Sequence, residues 1–249
     1  MTSNLASAAV VLVTLGGVLA AGCSPARYSA RALEAAQGPG VHAVAVVRVA
    51  PPWYAPRFVI RGKFRDALPE YEAIPPLEAK YFTIADDGRY GGIYLWATRG
   101  DAERHFDAAW HAEVRERRGV DGDVLLADAP YVVNGPALPR GEPIGARSEE
   151  FPACASLVRW ELAESTRVPA AARRLAQASW ARPELVRAFV ITGATWVGIA
   201  AIWATREAAE RAASEDTRAS LGAVIDARSS EAVLFEAPLL IDATLRGGG

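Results

Sequence analysis

Six side chains carry most of the chemistry that the sequence offers: His42, Arg48, Tyr81, Tyr90, Tyr94 and Trp96. On β-strands, a two-residue alternation puts His42 and Arg48 in phase with Val44 and Val46, and Tyr81 in phase with Thr83. It also puts Tyr90, Tyr94 and Trp96 on one face, opposite Ile93 and Leu95. The aliphatic pair suits contact with helices, so the aromatic set is expected to face a partner sheet. Joined by the other two sets, it would line an apolar cavity with a few polar groups, the usual make-up of a small-molecule pocket. Each candidate also has a plainer reading. Tyr94 and Trp96 could be ordinary packing between sheets; His42 could be a strand-end histidine open to solvent; and Arg48, which has a counterpart in Arg159, could sit in a structural ion pair.

Other constellations are weaker. Asp107 and His111 are four residues apart and could supply two metal ligands, but no third is evident, so an intrahelical charge pair is the better reading and no metal is expected. Cys154 has no neighbouring histidine or CxxC partner and reads as a buried, inert thiol. The sequence holds no P-loop, GxSxG or zinc pattern. Charge is nearly balanced, with 27 Lys plus Arg against 29 Asp plus Glu and no basic run. Nucleic acid is therefore not an expected partner.

The elements that must position these residues come from an internal repeat. Ile93-Tyr94-Leu95-Trp96-Ala97-Thr98-Arg99 aligns with Ala200-Ala201-Ile202-Trp203-Ala204-Thr205-Arg206, and Asp101-Ala102-Glu103-Arg104 with Ala208-Ala209-Glu210-Arg211. Ala129-Pro130-Tyr131-Val132-Val133 then aligns with Ala237-Pro238-Leu239-Leu240-Ile241, and Val46 to Val49 with Leu157 to Trp160. Matches that keep one order along both halves argue for duplication. In the first copy the pattern predicts strands over 41–49, 80–84, 92–97 and 124–133, with helices over 57–71 and 101–117. The second copy repeats the order over 155–241. Strand, helix, strand, strand, helix, strand is the ferredoxin-like order, so the expected fold is α+β: two tandem βαββαβ modules packed sheet to sheet. The modules would occupy 41–133 and 153–246, joined by a linker over 134–152. In the second copy Val197 and Ala201 answer to Tyr90 and Tyr94, whereas Trp203 answers to Trp96, so the first copy is the better equipped.

The stretch Arg89-Tyr90-Gly91-Gly92-Ile93-Tyr94-Leu95-Trp96, after Leu77-Glu78-Ala79-Lys80-Tyr81-Phe82 and before the helix carrying Glu103, resembles the YdhR-like candidate mono-oxygenases of the dimeric α/β-barrel superfamily. The resemblance covers 41–133 and reaches the second copy only through the repeat. It implies that one chain supplies both halves of the barrel as a monomeric pseudo-dimer. It also implies chemistry without cofactors, metal or flavin, in which an electron-rich substrate reacts with oxygen.

The first residues give an address. Leu5 to Ala21 is apolar and uncharged, and Leu19-Ala20-Ala21-Gly22-Cys23-Ser24 follows the pattern of a lipobox. The span is shorter than the roughly 20 apolar residues of a membrane-crossing helix and suits a signal peptide over 1–22. The resemblance to bacterial lipoprotein signals implies acylation at Cys23, with palmitate among the chains, a tether over 23–40 and membrane attachment in the cell envelope. Ser24 points to the periplasmic side of an outer membrane. The first four residues, Met1-Thr2-Ser3-Asn4, lack the usual positive charge. With Cys23 acylated, Cys154 would be left without a disulfide partner. The functional classes that remain are a lipid-tethered binder of a small hydrophobic or aromatic molecule, a cofactor-independent mono-oxygenase, and an envelope scaffold without a ligand.

Overall fold

The computed structural model describes residues 42–52, 54–138, 153–180, 182–214 and 225–242. The lipobox, the tether and residues 139–152 of the expected linker lie outside the described residues. The first half runs β1 (His42–Val49), α1 (Arg57–Glu72), β2 (Leu77–Ala85), β3 (Tyr90–Trp96), α2 (Arg99–His105), α3 (Ala108–Arg118) and β4 (Asp123–Asn134). The second half runs β5 (Ala153–Leu162), α4 (Val168–Trp180), β6 (Leu185–Thr192), β7 (Trp196–Trp203), α5 (Arg206–Ser214) and β8 (Ile225–Asp242).

These strands make one closed antiparallel barrel in the order β1-β3-β2-β8-β5-β7-β6-β4. The expectation of two tandem ferredoxin-like modules packed sheet to sheet is overturned, because there are not two sheets to face each other. The physical reason lies in β4 and β8, which are 12 and 18 residues long against a usual five or six. β4 pairs with β1 over Asp123 to Ala129, then continues past it to pair with β6 from Asp128 to Asn134. β8 pairs with β5 as far as Ala237 and with β2 from Phe235 to Asp242. Each half therefore lends the end of its last strand to the other half's edge, and no unpaired edge is left. The single helix expected over 101–117 is also two helices. Asp107 breaks it by accepting a hydrogen bond from the Trp110 backbone N–H at 2.8 Å and so capping a new start.

Local chemistry fits the elements. Asp87-Gly88 turns the chain between β2 and β3, and Gly88 sits at φ 85°, a left-handed conformation that glycine adopts without steric cost. Closure buries the inner face of the strands, and the helices cover much of the outer face. The barrel interior is filled by residues from both halves, among them Val44, Val46, Ile93, Leu95, Phe189 and Phe235. The outer face of the first half packs on α1, α2 and α3 through Phe64, Tyr71, Phe82, Tyr94, Trp96 and Trp110. A separate outer core joins the second half to its helices through residues such as Trp160, Leu175 and Trp203.

Candidate functional site

The six sequence candidates fall into three places. His42 and Tyr81 stand at one end of the barrel interior. His42 Nδ1 lies 3.0 Å from Glu78 Oε2. Deeper in, the Tyr81 hydroxyl donates to Asp242 Oδ2 at 3.3 Å, and Asp242 also holds Arg187, a pair that is almost wholly buried. Burial and the neighbouring Asp242 push the Tyr81 phenol up, so it stays protonated and acts as a donor. Arg48 is six residues along β1 from His42, roughly 20 Å away at strand rise. There its guanidinium meets Asp123 at 2.6 Å and Glu231 at 3.5 Å, and Glu231 also binds Arg159 at 3.0 Å. The ion-pair reading of Arg48 therefore fits the geometry. Apolar side chains fill the interior between the two ends, so His42 and Arg48 do not share a pocket.

Tyr90, Tyr94 and Trp96 are turned the other way. They face the helices, and Ile93 and Leu95 face the interior, the reverse of the expected arrangement. An eight-stranded barrel has an interior just wide enough to be filled by its own side chains. Here branched and small residues fill most of it, Ala79, Ala127, Ala155 and Ala200 among them. The wider gap between sheet and helices takes most of the rings.

That gap contains a cavity of about 60 Å³, several times the roughly 10–15 Å³ that one water needs. Its sheet wall is Val47, Lys80, Phe82, Tyr90, Gly91 and Tyr94; α1 contributes Lys63, Phe64, Ala67 and Tyr71; and α3 contributes Trp110, Glu113, Val114, Arg117 and Arg118. Phe64, Ala67 and Tyr71 recur at three- and four-residue spacing, which places them on one face of α1. Hydrogen bonds from Arg57 and Arg61 to Glu236 on β8 hold that helix over the sheet. Tyr94 stacks nearly parallel to Trp96, with centroids 6.3 Å apart, and Phe106 meets both rings edge-on. Trp96 thus backs the cavity wall without lining it.

At the floor is Lys80, only 2% exposed. Its Nζ lies 2.8 Å from the ring centre of Tyr71, 4.1 Å from that of Phe82 and 4.5 Å from that of Tyr94, within the range of cation–π attraction. The lysine stem fits because Gly92, diagonal to it across the β2–β3 ladder, carries no side chain. A Cβ there would come within 3.3 Å of Lys80 Cε, 3.2 Å of the Tyr94 ring and 2.8 Å of the Tyr81 carbonyl oxygen. At the mouth the Arg118 guanidinium is 5.7 Å from the Tyr90 ring. Burial pushes the Tyr90 phenol up to about 12 against the opposing field of Arg118, so it too stays a neutral donor.

Among the described residues, the second half has no such site. Register pairs Lys80 with Tyr94 and Phe82 with Gly92 in the first half, and Ala188 with Ala201 and Val190 with Ile199 in the second. Aliphatic side chains there occupy the places of the lysine, the rings and the glycine, and the corresponding gap is a smaller cavity of about 40 Å³.

Sequence reasoning missed Lys80, Phe64, Tyr71 and Trp110. The signal for Lys80 was present: one lysine inside Ala79-Lys80-Tyr81-Phe82-Thr83-Ile84, otherwise fit for burial on both faces. The remaining candidates stay ordinary. Asp107 is a helix cap, the half-buried Cys154 thiol is pushed up by burial, and no group of three metal-ligating side chains occurs among the described residues.

No protein-family model and no curated protein matches the chain. Solved structures do match in fold. A candidate monooxygenase from Lactobacillus acidophilus NCFM superposes with a TM-score of 0.54 at 11% identity, over 82% of this chain and 97% of that one. One from Fusobacterium nucleatum subsp. nucleatum gives 0.60 at 5% identity, over 82% and 96%. An anthrone oxidase-like protein gives 0.53 at 9% identity, over 84% and 95%. At such identities the likeness is one of fold: the chain has a monooxygenase-like fold, and a shared fold does not by itself carry an activity.

Proposed function

We propose that the protein binds a small aromatic or hydrophobic molecule between α1, α3 and the outer face of the first-half sheet. One observation carries this: a cavity walled by Phe64, Tyr71, Phe82, Tyr90, Tyr94 and Trp110, with Lys80 at its floor. Ring walls give a flat ligand large contact area, and a few fixed polar groups orient it. This replaces the barrel interior, which is packed, as the expected binding place. Ala67 lines the cavity from α1 and is 8% exposed, so Ala67→Phe should fill the space while leaving the ionic groups in place. In a thermal-shift titration with naphthalene and hydroquinone compounds, wild type should be stabilised in proportion to ligand concentration and Ala67→Phe should not. Equal shifts in both proteins would place the ligand elsewhere.

A second reading is oxygenation of the bound molecule. It is favoured by the shared fold with candidate monooxygenases and by the resemblance of Gly91-Gly92-Ile93-Tyr94-Leu95-Trp96 to the YdhR-like group. A substrate whose reactive CH₂ becomes C=O while O₂ supplies that oxygen and leaves the other as water balances without an outside reductant. Oxygen uptake with aromatic compounds that carry such a CH₂ beside a ring, anthrone among them, tests it. Uptake no greater than that of Ala67→Phe removes the enzyme and leaves the binder.

We further propose a lipid anchor at Cys23, supported by the apolar run Leu5 to Ala21 and the small residues before the cysteine. No helix among the described residues is long and apolar enough to cross a membrane. A palmitate analogue fed to expressing cells should label wild type and not Cys23→Ala; an unlabelled wild type removes the anchor.

A further inference from the structure

We infer that the first-half cavity selects an aromatic anion, one or two rings bearing a carboxylate or phenolate, with the negative group drawn to Lys80. The inference rests on the reading above, that this cavity holds a small aromatic molecule. It adds the sign of the ligand's charge.

The charges that line the space are unequal. Lys63, Lys80, Arg117 and Arg118 border it, against the single carboxylate of Glu113. The chain as a whole carries a formal net charge of −2, so the local excess of cations runs against its overall balance. Glu113 is engaged by Arg117 at 2.6 Å and does little to offset the others. Lys63 pairs with Asp66 at 3.4 Å, a largely exposed residue outside the lining. Arginines in the last turn of a helix are ordinary, because they complement the helix dipole, and Arg117 and Arg118 fit that account. Lys63 on α1 and Lys80 on β2 do not. Three separate elements bring positive charge to one small space.

The surroundings magnify that charge. A cation behind aromatic walls is screened less than one in water, so its field reaches a ligand in the cavity at greater strength. Lys80 lies against the faces of Tyr71, Phe82 and Tyr94, and the absent side chain at Gly92 gives its stem room. Rings favour an ammonium through their quadrupoles, which opposes the tendency of burial to discharge it. An anionic oxygen beside it would gain a charge-assisted contact that a neutral group of the same shape would not. Tyr90, a neutral phenol at the wall, can donate to the same anion and cannot repel it.

Two matched pairs test the sign of the charge: benzoate against benzamide, and 2-naphthoate against 2-naphthamide. Each is titrated into the full-length chain by calorimetry at pH 7.5 and low salt. Naphthoate is expected to bind at least tenfold more tightly than naphthamide, with the advantage shrinking as salt rises. Lys80→Met should cut the advantage to threefold or less while naphthamide still binds. If Lys80→Met fails to fold, Arg118→Gln at the exposed end of α3 should reduce the same ratio. A wild type that binds amide and acid equally, or the amide more tightly, overturns the anion inference and leaves the aromatic cavity standing. A wild type that binds neither, or binds both as well when Ala67 is Phe, removes the cavity reading and the inference with it.

Discussion

Replacing Arg187 by leucine is expected to cost about 3–5 kcal/mol of stability in urea titrations, and replacing Asp242 by leucine as well should recover most of it. The two side chains are 4% and 0% exposed and form an ion pair at one end of the barrel interior. Arg187 is on β6 and Asp242 on β8, while Tyr81 on β2 donates to the same carboxylate, so the cluster ties three strands across the lumen. Removing Arg187 leaves the buried Asp242 carboxylate without its countercharge, although the Tyr81 hydroxyl still donates to it. Removing both takes away the desolvation penalty together with the attraction, which is why the double variant should approach wild type. Additive losses would mean that the two side chains stabilise the barrel independently and not as a pair. Glu78 supplies a pH arm. Burial raises its carboxyl above the usual range, against the opposing fields of His42 and Arg187. Between the ordinary carboxyl pKa and the raised one, the folded state holds the proton and the unfolded state does not. The stabilising contribution is therefore complete below that window and is lost as pH rises through it. Glu78→Gln should be more stable than wild type near neutrality and lose less stability across the window.

The phases of β1 and β2 were legible because each has polar residues on a distinct face: His42 and Arg48 on one strand, Tyr81 and Thr83 on the other. The phase of β3 was not. Ile93 and Leu95 alternate with Tyr94 and Trp96, and in a closed barrel wrapped by helices both sets are buried, so hydrophobicity does not tell inside from outside. Side-chain volume does, once closure is known. Closure was hidden for a related reason: β4 and β8 read as ordinary last strands, and nothing in Tyr131-Val132-Val133 or Leu239-Leu240-Ile241 says that its ladder partner lies in the other half. That pairing is long-range. The cavity was hidden with it, because Lys80 lies between Ala79 and Tyr81, which point inward, and only the face assignment reveals that it points toward the rings of α1.

Two phenylalanines of nearly equal burial should separate the barrel core from the proposed site. Phe189 on β6 is 0% exposed, lies inside the barrel and has its ring centre 6.0 Å from that of Tyr81. Phe82 on β2 is 1% exposed, lies outside the barrel and has its ring centre 5.0 Å from that of Phe64 and 5.6 Å from that of Tyr71. Phe189→Ala should cost about 3–5 kcal/mol, because strands paired on both sides cannot collapse into the hole. Naphthoate affinity, measured where the variant remains folded, should stay within about twofold of wild type, since whole strands and their inner side chains separate the hole from the cavity. Phe82→Ala removes a wall of a space that already exists, next to a helix that can settle toward the gap, so its stability cost should fall toward the low end of the range for aromatic truncation, about 3 kcal/mol. Its effect on binding should be the larger of the two. The ring that meets both the ligand and the Lys80 ammonium is gone, and the enlarged space should favour a bulkier aromatic over a single ring. The contrast is decisive because the two faces of one sheet make opposite claims. If Phe189→Ala abolished binding in a folded protein while Phe82→Ala spared it, the ligand would have to lie inside the barrel, against the packing of Val44, Ile93, Leu95 and Phe235 that fills it.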